Sequence, residues 1–308
     1  MEMESRLKPG LIVLCGPTAA GKSSLAIAIA QRLGSPILSA DSRLVYRDFN
    51  IGTAKPTPAE QQQVPHYLMD LCDPRQVFTV GDYQDCAVPL IQQLQEKGML
   101  PLLVGGTGLY IKAIVNGLRF PRIAPQPKLR SQLQALGQPL CHALLQRVDP
   151  VAGDRIHVND RVRTLRALEV FYVSGDRLTD LQQEQPPSYP ILQIGLDSDR
   201  LEARIQQRTQ QMLTSGFVEE VQGLCDRYGS DLPLLNTLGY RQVCAFLQGS
   251  LSRSELPEQI VLQTRQYAKQ QRTWFRADSS IQWIDAEASN RLERALDLIE
   301  RFRKSEGV

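Results

Sequence analysis

The chain of 308 residues is 42% hydrophobic and 22% charged, which suits one large or two modest domains with a real core and excludes a disordered or low-complexity polymer. Its 35 Lys and Arg nearly balance 33 Asp and Glu, so the total charge marks no polyanion binder; what matters is where the charges lie. No apolar run reaches the roughly 18 residues of a membrane span, and Met1-Glu2-Met3-Glu4-Ser5-Arg6 lacks a basic stretch followed by an apolar one, so neither membrane insertion nor export is expected.

The first predicted element is the β-type run Leu11–Cys15, joined to a helical run over 22–33 by Gly16-Pro17-Thr18-Ala19-Ala20-Gly21-Lys22-Ser23. This is the spacing G-x-x-x-x-G-K-[ST]. The glycines let the backbone turn with its N–H groups inward, the helix N-terminus adds positive potential and Lys22 adds a full charge. The loop therefore reads as a phosphate cradle with the Ser23 hydroxyl placed for Mg²⁺; the plainer reading is a glycine-rich turn with Lys22 in solvent.

A short buried strand, Pro36–Ala40, then ends at Asp41-Ser42. A carboxylate at a strand mouth can accept a proton from a substrate or hold Mg²⁺ through water, and it can also simply cap a turn. Lys55, in Ile51-Gly52-Thr53-Ala54-Lys55-Pro56, reaches either phosphate or solvent, and Asp70 and Asp73 are candidate Mg²⁺ acids or loop caps. A helical run over 81–97 leads to a strand, Met99–Val104, and a second glycine-rich turn, Gly105-Gly106-Thr107-Gly108, where Thr107 is a helix cap or a ligand donor before a helix over 107–115. Strands alternating with helices predict a mostly parallel sheet whose carboxyl ends converge, bringing Asp41 and Thr107 near the phosphate loop.

Between about 121 and 187 the pattern changes: prolines at 121, 125, 127 and 139 open a stretch of helical periodicity with no clear strand, which predicts an inserted helical subdomain. Residues 119–166 carry nine Lys and Arg against three Asp, so the other 26 Lys and Arg face 30 Asp and Glu; the insertion is the segment suited to a polyanion. Arg163 and Arg166 fall three apart on its last long helix. The sheet resumes at Ile191–Leu196, followed by helices over about 199–214, 217–227, 239–248 and 255–277, a strand at Ile281–Ile284 and a charged helix over about 288–303. Arg204 and Arg208, one helical turn apart, clamp a diphosphate or pair with Glu202. Arg265, Lys269, Arg272 and Arg276 recur at helical spacing with no acid between them and aromatics interleaved, which suits phosphate contacts and base stacking better than an ordinary solvated face. The domain expectation is thus a core of 1–120 with 188–308 and an insertion of 121–187. Six scattered cysteines without a C-x-x-C pair read as reduced thiols of a cytoplasmic protein; a catalytic Cys–His pair would need long-range contacts.

The blocks GPTAAGKS, DSRLVY with IGTAKP, PHYLMDLCDP, GGTGLYIKA, NDRVRTLRALEV, RIQQR…GFVEEV, LGYRQ and TRQYAKQQRTWF, in this order, resemble the tRNA dimethylallyltransferase (isopentenyl transferase) family. The resemblance implies an α/β fold with a P-loop-type, mostly parallel sheet flanked by helices and an inserted helical subdomain that grips the tRNA anticodon stem-loop. It implies that dimethylallyl diphosphate, with Mg²⁺, occupies the loop Gly16 to Ser23, that Asp41 is the general base, and that Thr107 contacts the substrate adenosine region. By the same resemblance Asp41, Ser42, Arg43, Leu44, Val162, Arg163, Arg166, Gly239, Tyr240 and Arg241 fall in tRNA-contacting stretches; Arg265, Lys269 and Arg272 join them from the basic stripe. A cytoplasmic monomer is expected. Departures from the family's usual residues are Leu44 for Gln, Ala20 for Ser, Val162 for Gln and Gln270 for Arg. The rival readings are an ATP-dependent small-molecule kinase and a non-catalytic P-loop RNA-binding protein.

Overall fold

A computed structural model describes residues 10–308; the amino-terminal stretch expected to lack a leader lies outside the described residues. The fold divides into two units: residues up to Ile111 together with Ser188–Val308, and Lys112–Pro187.

The first unit is built on β1 (Leu11–Cys15), α1 (Lys22–Leu33), β2 (Ile37–Ser39), α2 (Pro58–Gln63), β3 (His66–Tyr67), α3 (Val80–Glu96), β4 (Leu102–Gly105) and α4 (Gly108–Val115), whose last residues pass into the second unit. All six strands pair in parallel in the order β3-β2-β4-β1-β5-β6, with β5 (Ile191–Asp197) and β6 (Gln282–Asp285) arriving after the insertion. The strands are continuous apolar runs because both faces are covered: Ile12, Leu14, Ile194 and Leu196 share a core with Leu25, Ala26 and Ile29 of α1, and Val13, Leu38 and Leu103 on the other face are fully buried too. Each such side chain contributes roughly 1.5–3 kcal/mol by leaving water. In this order β1 sits between β4 and β5, so the loop leaving β1 emerges at the centre of the carboxyl edge, beside the turns that leave β2 and β4. Gly16 makes that exit: its φ is 141°, and a β-carbon there would come within 2.2 Å of the Leu196 carbonyl on β5.

The second unit contains the end of α4 and the helices α5 (Pro127–Ala135), α6 (Gln138–Val148), α7 (Pro150–Arg155), α8 (Arg161–Ser174) and α9 (Leu178–Leu181), packed around Leu133, Cys141, Leu145, Ile156, Leu165 and Leu168. It begins earlier than the expected residue 121 because 112–119 are fastened to 183–185: Lys112 pairs with Glu184 at 3.3 Å, and Arg119 N–H donates to the Gln183 carbonyl at 2.8 Å.

Glu169 of α8 is fully buried, and its carboxylate takes Arg130 (2.8 Å), Arg166 (2.5 Å) and the Gln126 N–H (2.6 Å). Burial alone would raise its pKa, but the two guanidinium groups and the amide outweigh it and hold the carboxyl down at about 2. A carboxyl depressed on folding contributes stability above its unfolded value and loses it as pH falls toward the folded one. Helix α8 should therefore be stabilised through Glu169 at neutral pH and lose on the order of 3 kcal/mol between pH ~4.5 and ~2. Hydrogen-exchange protection of Arg161–Ser174, compared with Glu169→Gln, checks this: the two proteins should differ at pH 7 and converge near pH 2.

The rest of the first unit is helical: α10 (Leu201–Thr214), α11 (Phe217–Tyr228), a 3₁₀ turn at Pro233–Asn236, α12 (Tyr240–Leu247), α13 (Glu255–Arg276) and α14 (Arg291–Glu306), the last starting and ending three residues later than expected. Among the described residues no helix is long and apolar enough to cross a membrane.

Candidate active site

One cavity of the first unit is lined by Thr18, Lys22 and Ser23 of the loop, Asp41 and Leu44 after β2, Thr53, Ala54 and Pro56, Gly105 and Gly106 after β4, Arg208 of α10, and Tyr267 and Gln271 of α13; Ala26, Ile37, Met69 and Val104 complete an apolar wall. The loop after β1, Asp41 after β2 and Gly105 and Gly106 at the end of β4 meet here because the parallel sheet points their carboxyl ends to one edge; α1, α10 and α13 add further side chains.

In this cavity Lys22 folds back so that its Nζ donates to the carbonyls of Gly16 (2.9 Å) and Pro17 (2.6 Å). Desolvation first, and then the nearby Arg208 charge, lower the ammonium to about 8, with Asp41 partly opposing. Arg208 reaches the loop from α10, its Nη1 donating to Thr18 Oγ1 (3.0 Å) and its Nη2 to the Thr53 carbonyl (3.3 Å). Two cations held close in a partly dry pocket repel each other, and an anion between them relieves both. Arg204 does not share this cavity: it pairs with Glu287 at 2.9 Å, and Glu202 pairs with Arg265 instead. Of the two arginines expected to clamp a diphosphate or pair with Glu202, the structure brings only Arg208 to the cavity.

Asp41 Oδ1 accepts the Arg43 N–H (2.8 Å), closing a turn that orients the carboxylate, and Oδ2 has no hydrogen-bond partner among the described residues. Thr107 braces the same turn: its N–H donates to the Ala40 carbonyl (3.2 Å) and its Oγ1 accepts the Ser42 N–H (3.0 Å). Tyr267 stands close enough to Asp41 that burial and then that carboxylate charge push its phenol up to about 12.

Gln271 is a site residue that the motifs do not single out. Its Oε1 accepts the Thr18 N–H and its Nε2 donates to the Gly106 carbonyl, both at 2.8 Å, so one buried amide ties the two glycine-rich turns together from α13. The available signal is the spacing of Ala268, Gln271 and Phe275 on the buried face of α13, which sets Gln271 inward between exposed cations.

Several expected contacts are engaged inside the protein. Arg272 and Arg276 both bind Asp197, at 2.8 and 3.0 Å, and Arg265 binds Glu202 at 2.7 Å, so the acid-free stripe is neutralised by other elements and only Lys269 of its expected ligands stays exposed without such an acid. Tyr240 is 1% exposed, boxed by Phe49 and Phe217, with its hydroxyl on Glu220; it is a core residue and presents no surface to a ligand. Gly239 is buried beside it, while Arg241 and Arg43 are exposed. In the second unit Arg166 is held by Glu169 and by the Ile123 carbonyl (2.9 Å), whereas Val162 and Arg163 are exposed on the first turn of α8, Arg163 pairing at 3.5 Å with the capping Asp160. Lys55, expected to reach phosphate or solvent, does neither: its buried Nζ donates to the Tyr46 carbonyl (2.9 Å) and to Asp70 (2.6 Å), while Asp73 accepts the Arg75 N–H (2.9 Å) as a loop cap. The thiol of Cys15, at the end of β1, is pushed up to about 12 chiefly by burial, which suits packing and not nucleophilic attack.

The IPP transferase family profile matches residues 44–278. The tRNA dimethylallyltransferase of Rippkaea orientalis is 59% identical over 295 residues, covering 95% of this chain and 98% of that one, and that of Nostoc punctiforme is 58% identical over 294 residues, covering 95% and 97%. The full-length tRNA isopentenylpyrophosphate transferase of Bacillus halodurans superposes with a TM-score of 0.73 at 34% identity, over 97% of this chain and 98% of that one. A eukaryotic dimethylallyltransferase acting on tRNA shares the fold, with a TM-score of 0.79 at 24% identity over 97% of this chain and 80% of its own.

Proposed function

This chain belongs to the IPP transferase family, and from that premise we propose that it transfers a dimethylallyl group from dimethylallyl diphosphate to N6 of adenosine 37, beside the tRNA anticodon, releasing diphosphate. The observation that carries the reading is one cavity whose lining combines two cations, Lys22 and Arg208, with the apolar side chains Ala26, Ile37, Met69 and Val104 and the carboxylate of Asp41. Those are the groups that a charged head, a five-carbon tail and a proton transfer each need. A kinase would use the loop but leaves the aliphatic wall formed by Ala26, Ile37, Met69 and Val104 without a role.

Lys22, the loop N–H groups and Arg208 bind the diphosphate and balance the charge that grows on it as the allylic C–O bond breaks. Attack by the exocyclic amine makes its N–H acidic, and Asp41 is the group positioned to accept that proton. Mg²⁺ fits as a companion of the diphosphate: the cavity offers the Ser23 hydroxyl, and Mg²⁺ commonly takes one or two protein oxygens plus substrate phosphates. Ser23 would hold it, and it would supply further charge neutralisation on the leaving group. Arg43, Arg163, Arg241 and Lys269 are the exposed cations proposed to meet the tRNA backbone.

Labelled dimethylallyl diphosphate incubated with the protein and tRNA should leave label on adenine N6. Consumption of ATP with no label in tRNA would overturn the reading.

Lys22 adds a pH signature. With its ammonium at about 8 in the free protein, a bound diphosphate raises it, so above pH ~8 binding takes up a proton, and affinity falls as pH rises, by up to tenfold per unit. Below that value this group adds no pH dependence. Calorimetric titration of the donor, without tRNA, in buffers of different ionisation enthalpy at pH 7 and 9 checks the sign: uptake approaching one proton at pH 9 and close to none from this group at pH 7.

A further inference from the structure

We propose that Glu220, on α11, is a positioning residue for the reaction: it fixes the turn Asn50–Gly52 and, through Thr53, aims Arg208 at the diphosphate. The inference rests on the donor-site reading above. Glu220 lines no part of the cavity, yet its carboxylate accepts four hydrogen bonds, from the N–H groups of Asn50 (3.0 Å), Ile51 (2.6 Å) and Gly52 (3.1 Å) and from the Tyr240 hydroxyl (2.8 Å). Three successive N–H groups converging on one point form an anion-binding concavity, and here the fold's own carboxylate fills it. Bonds to an ionised acceptor are shorter and roughly twice as strong as neutral ones, so the turn is held stiffly from about 170 residues away in sequence.

The turn is also pressed onto its support. A β-carbon on Gly52 would fall 2.2 Å from the Phe217 ring and 2.6 Å from that of Tyr240, so no larger residue allows this approach. On the other side, the Thr53 hydroxyl donates back to the carbonyls of Phe49 (2.8 Å) and Asn50 (3.1 Å), which turns the Thr53 carbonyl to meet Arg208 Nη2 at 3.3 Å. Arg208 Nη1 then lies on Thr18 Oγ1 in the phosphate loop. A continuous hydrogen-bonded path thus runs from Glu220 to the loop, and the following residues, Ala54 and Pro56, form part of the cavity wall.

The test is a double-mutant cycle with inorganic diphosphate and Mg²⁺ as the probe, read by calorimetry on wild type, Glu220→Gln, Arg208→Ala and the double variant. Glu220→Gln should weaken diphosphate binding about tenfold in the wild-type background and less than about twofold once Arg208 is absent, because the effect travels through that side chain. Tyr240→Phe, which keeps the carboxylate and its three N–H bonds, should give a smaller loss with the same dependence on Arg208, and it decides the question if Glu220→Gln does not fold. Equal losses in both backgrounds, or full affinity in the folded variants, would overturn the role given to Glu220. A wild type that binds no diphosphate would instead overturn the donor site itself, and this inference with it.

Discussion

Replacing Asp41 by asparagine is expected to reduce single-turnover prenyl transfer by about 10²- to 10⁴-fold, the usual contribution of a positioned general base, while leaving tRNA and donor binding within a few-fold of wild type. Asparagine keeps an oxygen for the Arg43 N–H, so the turn braced by Thr107 survives and only the proton acceptor is lost. The loss corresponds to roughly 3–5 kcal/mol of barrier. A second consequence follows from the same geometry: the Asp41 charge supports the Lys22 ammonium, so in the variant the pH at which donor binding begins to take up a proton should move below ~8. Rapid-quench transfer of label and equilibrium tRNA binding, measured together, decide the matter. Turnover within about tenfold of wild type would remove Asp41 from the chemistry.

Much of this site is legible in the order of residues alone, because strand–helix alternation obliges the carboxyl ends of β1, β2 and β4 to meet, and those ends carry the loop, Asp41 and Thr107. What eludes the sequence is pairing over long distances. The stripe on α13 looks like a free cationic face until Asp197 and Glu202 arrive from β5 and α10 to bind three of its four charges. Tyr240 sits in a block that resembles an RNA-contacting stretch, and only the rings of Phe49 and Phe217 show that it is interior. Helix α2 lies outside the predicted elements although its signal is present: Thr57 and Glu60 form a reciprocal capping box around Pro58 at the first helical position. Strand β3, two residues long, is too short for any periodicity to show.

Lys22→Met should show how far the phosphate loop serves the transition state beyond binding alone. In the free protein the ammonium is satisfied by its own loop, on the carbonyls of Gly16 and Pro17, so moving it onto a diphosphate exchanges two neutral acceptors for an anion. The gain is greatest when the leaving group carries its full developing charge, which is the condition for an interaction to raise kcat as well as affinity. Losing one such preorganised partner typically costs about 2.7–4 kcal/mol, so kcat should fall about 10²- to 10³-fold, with a smaller rise in donor KM. Lys22→Arg should rescue poorly, because a compact ammonium fits between two carbonyls whereas a planar fork does not. Arg208 acts on the same charge from α10, so Lys22→Met and Arg208→Ala combined should cost less than the sum of the two. Single-turnover rates at saturating donor separate the cases: if Lys22→Met raises KM and leaves the chemical step at its wild-type rate, the loop is a binding device and the stabilisation of the departing diphosphate lies elsewhere.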